Sequence, residues 1–231
     1  PVQVLVRMLS GLSDAKGKIL LKSIGKIPKG SSSKVKLSKK EFAEQAGVLK
    51  LNSIPENFLS KIWDEPALSI NAIQASSQKL ANNIVCDRAF ARVGIRLTSR
   101  EKCEKVQNEL VQKLKAAAPS TVEVSFKKYE PADAWSMDPM APKNRWAFEA
   151  AEKALQKGFG TKAVYIGCGA SIPFIAPFEK ALNAPVITFG VEDPYTLAHS
   201  ENESLLLSDF FKVIEAEMEL FQLIGQSGQR R

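Results

Sequence analysis

The chain has 231 residues, 45% hydrophobic and 25% charged, an ordinary globular balance that allows one large or two small domains. No apolar run reaches the ~18–20 residues that span a bilayer, so no membrane partner is expected. Three cysteines (Cys86, Cys103, Cys168) without a CxxC pair argue against a disulfide framework or a thiolate zinc site and point to a reducing, cytoplasmic compartment, while a single histidine, His199, excludes a metal site built from several imidazoles of this chain. The net charge of +7 resides in residues 1–64, which hold 12 Lys/Arg against 5 Asp/Glu. Between Lys16 and Lys40 there is no aromatic residue and no Arg, so the stretch reads as a solvated basic loop and no nucleic-acid partner is expected. The first residue is Pro rather than Met, and a processed chain or a piece of a longer one is expected.

Val2, Leu5, Val6, Leu9 and Leu12 recur with helical period, predicting a helix over 2–12. Residues 25–38 are rich in Gly, Ser and Pro and read as an exposed loop. Ser38–Glu41, Ser53–Glu56 and Thr98–Glu101 each place a hydroxyl three residues before a Glu and predict capping boxes. The first opens a short helix stopped by Gly47, the second a helix ending near Trp63, and the third a long helix through about Ala117, stopped by Pro119. Residues 68–74, 83–97 and 121–128 read as strands. Their order predicts an α+β domain ending near residue 130.

Beyond it the rhythm changes. A helix over 143–157 is ended by Gly158 and Gly160, and a short apolar strand at 163–167 follows. A Gly-Ser-Pro loop, a helix over 174–182 and a strand at 185–190 come next, a βαβ unit with parallel pairing. Two strands are too few for a doubly wound sheet, so the rest of that sheet is expected from elsewhere. An amphipathic helix from Ser208 to Leu223 closes the chain.

Ligands of open α/β sheets bind beyond the carboxyl ends of the strands. The two loops that leave such ends are 167–173, with Gly169 and Ser171 ahead of a helix N-terminus suited to an anionic group, and 190–203, with His199 among Glu192, Asp193, Glu201 and Glu203. Ser171 reads equally as a helix cap, and the acidic residues near His199 as a solvated turn. Cys168 with His199 as its base is a nucleophile pair on paper, but no cation adjoins the thiol in sequence. Arg96, between Ile95 and Leu97, calls for a carboxylate, either a structural partner or a substrate.

AHSENES (198–204), GASIP (169–173) and NIVCDRAFARVGIRL (83–97) together resemble the aminoacylase/carnosinase-like family of dinuclear zinc peptidases. The opening PVQVLVRMLSGLSDAKGKI is similar to the first helix of that family's lid, and AWSMDP (134–139) to the return from the lid. The resemblance implies an α/β fold. Residues 1–130 would be most of a dimerising α+β two-layer lid lacking its opening strand, and residues 131–231 the C-terminal part of a catalytic domain with a mixed sheet. It further implies two divalent ions, zinc by preference, a homodimer through the lid, and a peptide or N-acyl amino acid as substrate. His199 would ligate one ion and Arg96 would grip the substrate carboxylate. Asn83 would lie near the oxyanion, and the turn carrying Gly169 and Ser171 would bind the carboxylate end.

The family's His-x-Asp motif, its Glu-Glu pair and its lid histidine have no counterpart here. Gly167-Cys168 stands where carnosinase-like members have Arg-Glu, and Glu130 near a further histidine of some members. The expectation is therefore the C-terminal portion of a dipeptidase-like amidohydrolase, inactive alone and without stably bound metal. The alternative is a non-catalytic dimerisation or small-acid-binding module degenerate from that family.

Overall fold

The computed structural model describes residues 1–25, 35–77, 79, 82–98, 101–130, 133–168, 172 and 174–228. Contacts divide the chain into two units. The first comprises Pro1–Gly30, Leu59–Trp135 and Gly167–Ser171; the second comprises Ser31–Phe58, Ser136–Ile166 and Ile172–Arg231.

In the first unit, α1 (Val2–Ser10) and α4 (Cys103–Ala117) cover one face of a hairpin of β1 (Ala67–Gln74) and β2 (Phe90–Arg96). The hairpin is antiparallel, from Ala67 opposite Arg96 to Gln74 opposite Phe90. A bulge at Asn71 shifts the side-chain phase, so that Ile73 comes opposite Ala91. Met8, Leu9, Leu12 and Leu114 form one buried cluster, with Ala91 and Val93 against it; Ile19, Leu21 and Val106 form another, with Ile95. This is the two-layer α+β arrangement expected.

Strand 83–97 is shorter than its composition suggests. Residues 83–89 carry no ladder, and Ile84 and Val85 are exposed. The reason is the partner: β1 ends at Gln74, so nothing in it can pair with residues before Phe90. Residues 121–128 alternate as predicted, with Val122, Val124 and Phe126 half-buried, yet they join no ladder among the described residues. They lie along α4 instead, where Lys128 Nζ donates to Asn108 Oδ1 (2.7 Å) and Gln107 Nε2 to the Tyr129 carbonyl (2.8 Å).

Two of the three capping boxes differ from expectation. At α2 (Lys39–Ala46) the box is complete: Glu41 N–H donates to Ser38 Oγ, Ser38 N–H donates to Glu41 Oε2, and Gly47 ends the helix at φ 65°. Ser53 instead closes a single 3-10 turn, donating to the Lys50 carbonyl, and α3 starts only at Phe58 (Phe58–Trp63), three residues after Pro55. Glu101 does bond Thr98, but that pair builds the turn before α4. The cap comes from 30 residues away, where Asp133 Oδ1 accepts from Cys103 N–H (2.9 Å) and Oδ2 pairs with Lys102. An acceptor for an orphan helix N–H need not be local.

In the second unit, α5 (Arg145–Phe159) packs on α7 (Leu207–Gly228) through small residues. Ala147, Ala151 and Ala154 are buried on α5, with Val213 and Ala216 on α7. Gly160 ends α5 at φ 69°, but Gly158 does not: it is the second-to-last helical residue and lies against α7 at Lys212 and Ala216. A short α6 (Ile175–Leu182) ends at Asn183, φ 48°. The runs 163–167 and 185–190 carry no ladder among the described residues, so the expected parallel pair between them is not formed.

Candidate functional site

The loop that carries His199 is built around a buried threonine. Thr196, 4% exposed, accepts from Asp193 N–H through Oγ1 (2.9 Å), while its own N–H donates to the Asp193 carbonyl (3.1 Å). Asp193 Oδ1 also accepts from Tyr195 N–H (2.6 Å), an Asx turn launched by the Asp193-Pro194 step. Ser204 N–H returns to the Thr196 carbonyl (3.0 Å) and Ser200 N–H to that of Leu197 (2.9 Å). Glu203 Oε2 accepts from the backbone N–H of His199 at 3.2 Å.

This network holds three non-glycine residues in the left-handed region, Leu197 (φ 54°), His199 (φ 64°) and Asn202 (φ 60°). At Leu197 this costs about 1–2 kcal/mol, and at His199 and Asn202, residue types that visit the region more readily, less; the surrounding bonds over-determine all three. The outcome is an exposed imidazole on a fixed backbone. Thr196 is the residue that composition alone did not single out. Its signal was present in the Asp-Pro-x-Thr spacing, a turn initiator with a hydroxyl three residues on.

In the first unit, β2 turns Ala91, Val93 and Ile95 to the core and therefore Phe90, Arg92, Gly94 and Arg96 to the opposite face. Arg96 is exposed at the end of the strand, opposite Ala67. The guanidinium of Arg92 stands 5.2 Å from the centre of the Tyr129 ring, a cation–π contact. Asn83 is exposed in the irregular stretch that feeds Phe90, at the other end of β2 from Arg96. Gly169 and Ser171 lie outside the described residues. Cys168 is exposed. Asn83 and Arg96 thus belong to one unit and His199 to the other.

The charge-bearing groups with displaced titration are structural. The Lys102 ammonium and the Cys103 N–H hold the Asp133 carboxyl below the usual carboxylate range. Partial burial pushes Glu109 up, but bonds from Ser23 and Lys22 outweigh it and leave that carboxyl lowered. Burial, and then its hydrogen bond to Glu152 (2.6 Å), pushes the Tyr165 phenol far above its ordinary value. Among the described residues no three His, Cys, Asp or Glu side chains converge to hold a metal ion. Among them, too, no helix is long and apolar enough to cross a membrane.

Residues 1–122 match the peptidase dimerisation domain of the M20 family, and the chain belongs to that family. The chain is 25% identical over 228 residues to the cysteinylglycine-S-conjugate dipeptidase of Corynebacterium striatum, covering 96% of this chain and 49% of that protein. To the Cys-Gly metallodipeptidase DUG1 of Saccharomyces cerevisiae it is 28% identical over 224 residues, covering 91% and 45%. The solved structure of that yeast dipeptidase superposes with a TM-score of 0.81 over 96% of this chain and 48% of the other, at 25% identity. Human carnosine dipeptidase 1, at 20% identity, shares the fold, with a TM-score of 0.77 over 98% of this chain and 50% of the other. The chain therefore spans about half the length of the relatives it matches.

Proposed function

We propose that this chain is the C-terminal portion of a metal-dependent, dipeptidase-like hydrolase that cleaves an amide bond next to a free carboxylate, and that its 231 residues are inactive alone. The observation that carries the reading is the His199 loop. The one imidazole of the chain is presented outward on a backbone held in an unfavourable conformation by its own hydrogen bonds. Relatives that cover 91% of the chain are Cys-Gly metallodipeptidases, and an imidazole is a common ligand of such metals.

The residues present do not complete an ion site. A protein zinc site takes three or four protein ligands. Here one imidazole is on offer, and Glu203, four residues on, is engaged with the backbone N–H of His199. The remaining ligands of two divalent ions, zinc in this reading, must come from outside these residues. His199 is one ligand. Arg96 holds the substrate carboxylate, for which a guanidinium fork is suited. Asn83 donates to the oxyanion, and the turn with Gly169 and Ser171 takes the carboxylate end. Residues 1–130 form the lid, through which a homodimer assembles, and residues 131–231 the catalytic part.

The test is direct. The purified chain, with zinc or manganese and a panel of dipeptides including Cys-Gly, releases no amino acid. Joined behind the unmatched N-terminal part of the yeast dipeptidase, it hydrolyses Cys-Gly, and His199→Ala abolishes that. Turnover by the chain alone refutes the ligand argument; a joined enzyme indifferent to His199→Ala refutes the role of the loop.

A further inference from the structure

The face of the hairpin that α1 and α4 leave uncovered is positively charged. β2 directs Ala91, Val93 and Ile95 into the core, so Arg92 and Arg96 share the opposite face, and both are exposed. Four residues apart on one strand, their Cα atoms stand about 13 Å from each other. Ala72 and Ala67 are their partners on β1. Between the two arginines the floor is polar. Gly94 has no side chain, and Asn71 and Ser69 fold over it: a Cβ there would meet Asn71 Oδ1 at 2.8 Å and Ser69 Oγ at 3.3 Å.

Arg92 has a second cation beside it. The ring of Tyr129, 58% exposed, has the Arg92 guanidinium 5.2 Å from its centre and the Lys127 ammonium 5.9 Å from it. Two like charges gathered at one ring repel each other unless an anion joins them. No acid of the chain does so. None of the ion pairs among the described residues includes Arg92 or Lys127, and Glu130, next to Tyr129, pairs with neither. Contact with an aromatic ring also restrains a guanidinium while leaving its N–H fork to donate, which suits it to a carboxylate.

We propose that Arg92 and Lys127, gathered about the Tyr129 ring, form a second anion subsite on the face of Arg96, and that it selects dipeptides with a carboxylate on the N-terminal side chain. The proposal rests on the reading above, in which Arg96 holds the C-terminal carboxylate. An extended dipeptide spans at most about 7 Å, short of the spacing of the two arginines. The group at its far end is an ammonium, which two cations repel. A Glu side chain on the first residue lengthens the reach and reverses the sign of the charge. Arg92 supplies the fork and Lys127 a point charge. Tyr129 is a positioning residue, acting through Arg92.

The probes are Glu-Gly and Gln-Gly, which differ in one charge and little in shape. In the joined enzyme, kcat/KM for Glu-Gly is expected to exceed that for Gln-Gly about tenfold, the worth of one charge-assisted hydrogen bond. Arg92→Gln should bring the ratio to about one. Tyr129→Phe, which keeps the ring, should preserve it, and Tyr129→Leu should lower it. Arg88→Gln removes the same charge from an exposed residue outside the ladder and should leave the ratio unchanged. If Arg92→Gln unfolds the chain, Lys127→Gln serves in its place. A ratio near one in the parent overturns the proposal. So does an equal loss in Arg88→Gln, which would mean a general field rather than a site. The full 231-residue chain supplies a second arm that needs no turnover. Its Arg92 Nε–H resonance, assigned by its loss in Arg92→Gln, should shift with Glu-Gly and not with Gln-Gly at the same concentration. If the joined enzyme cleaves no dipeptide, the peptidase reading fails, and this shift alone decides the subsite: its presence keeps the anion site, and its absence overturns it. Cleavage of Cys-Gly without a preference for Glu-Gly over Gln-Gly sinks the subsite and leaves the peptidase reading standing.

Discussion

Gly158 is the second-to-last residue of α5, still on helical backbone, where glycine is ordinarily a defect. Replacing it with Ala in an open helix gains about 1 kcal/mol. Here the sign reverses. A Cβ at 158 would lie 2.3 Å from the carbonyl oxygen of Lys212 and 3.1 Å from Cβ of Ala216, both on α7. A main-chain oxygen cannot swing away, so the helices must part and loosen the contacts around Ala154 and Ala216, the least exposed alanines of the pair at 1% each. Overpacking of this kind costs about 1–3 kcal/mol. Net of the helix gain, Gly158→Ala is expected to lose up to about 2 kcal/mol, a fall of up to about 8 °C in Tm for a chain of this size. Gly225→Ala on α7 is the control: nothing lies within 4 Å of that added methyl, and the helix gain alone should raise Tm slightly. Thermal melts at 222 nm compare the two. A Gly158→Ala protein at least as stable as the parent, behaving like Gly225→Ala, would show that α5 and α7 do not meet at this residue.

Thr196→Val keeps the shape of the loop anchor but strips the acceptor from Asp193 N–H, which costs about 1–3 kcal/mol locally. Faster amide exchange across 193–204 is expected, and unchanged exchange would mean that the network does not hold the His199 loop. Asp133 and Glu109 titrate below their ordinary values in the folded chain, so the stability they contribute is present above the unfolded carboxylate range and is lost as pH falls through their lowered folded values. Urea midpoints from pH 7 down to 2 should therefore drop at the acid end, and Asp133→Asn should flatten that drop; a slope unaffected by Asp133→Asn contradicts the capping role. In the joined enzyme, Arg96→Ala should raise KM for Cys-Gly far more than it lowers kcat, and Arg96→Lys should recover little, because an ammonium lacks the two-pronged fork. Equal KM values in all three sink the carboxylate assignment.

The helices were legible because their signals are local. Period-3.6 apolar residues, the Ser38–Glu41 pair and the stops at Gly47 and Gly160 act within one or two turns, and each element appears within a few residues of its expected place. The family was legible for a related reason: AHSENES, GASIP and the β2 segment keep their order in the chain, and the match over 1–122 bears that recognition out. Of the candidate site, the sequence marked His199 and Arg96 by residue type, and the structure added the exposed, left-handed backbone of one and the strand-end position of the other. The rest depended on partners distant along the chain. Asp133 caps α4 from 30 residues away, β2 begins at Phe90 because β1 ends at Gln74, and Gly158 serves a neighbouring helix rather than ending its own. Short-range patterns specify where a helix starts and which side of a strand is apolar, since those follow from backbone geometry. Which backbone groups find each other, and which apolar faces stay bare, is settled only when elements far apart in sequence compete for the same neighbours.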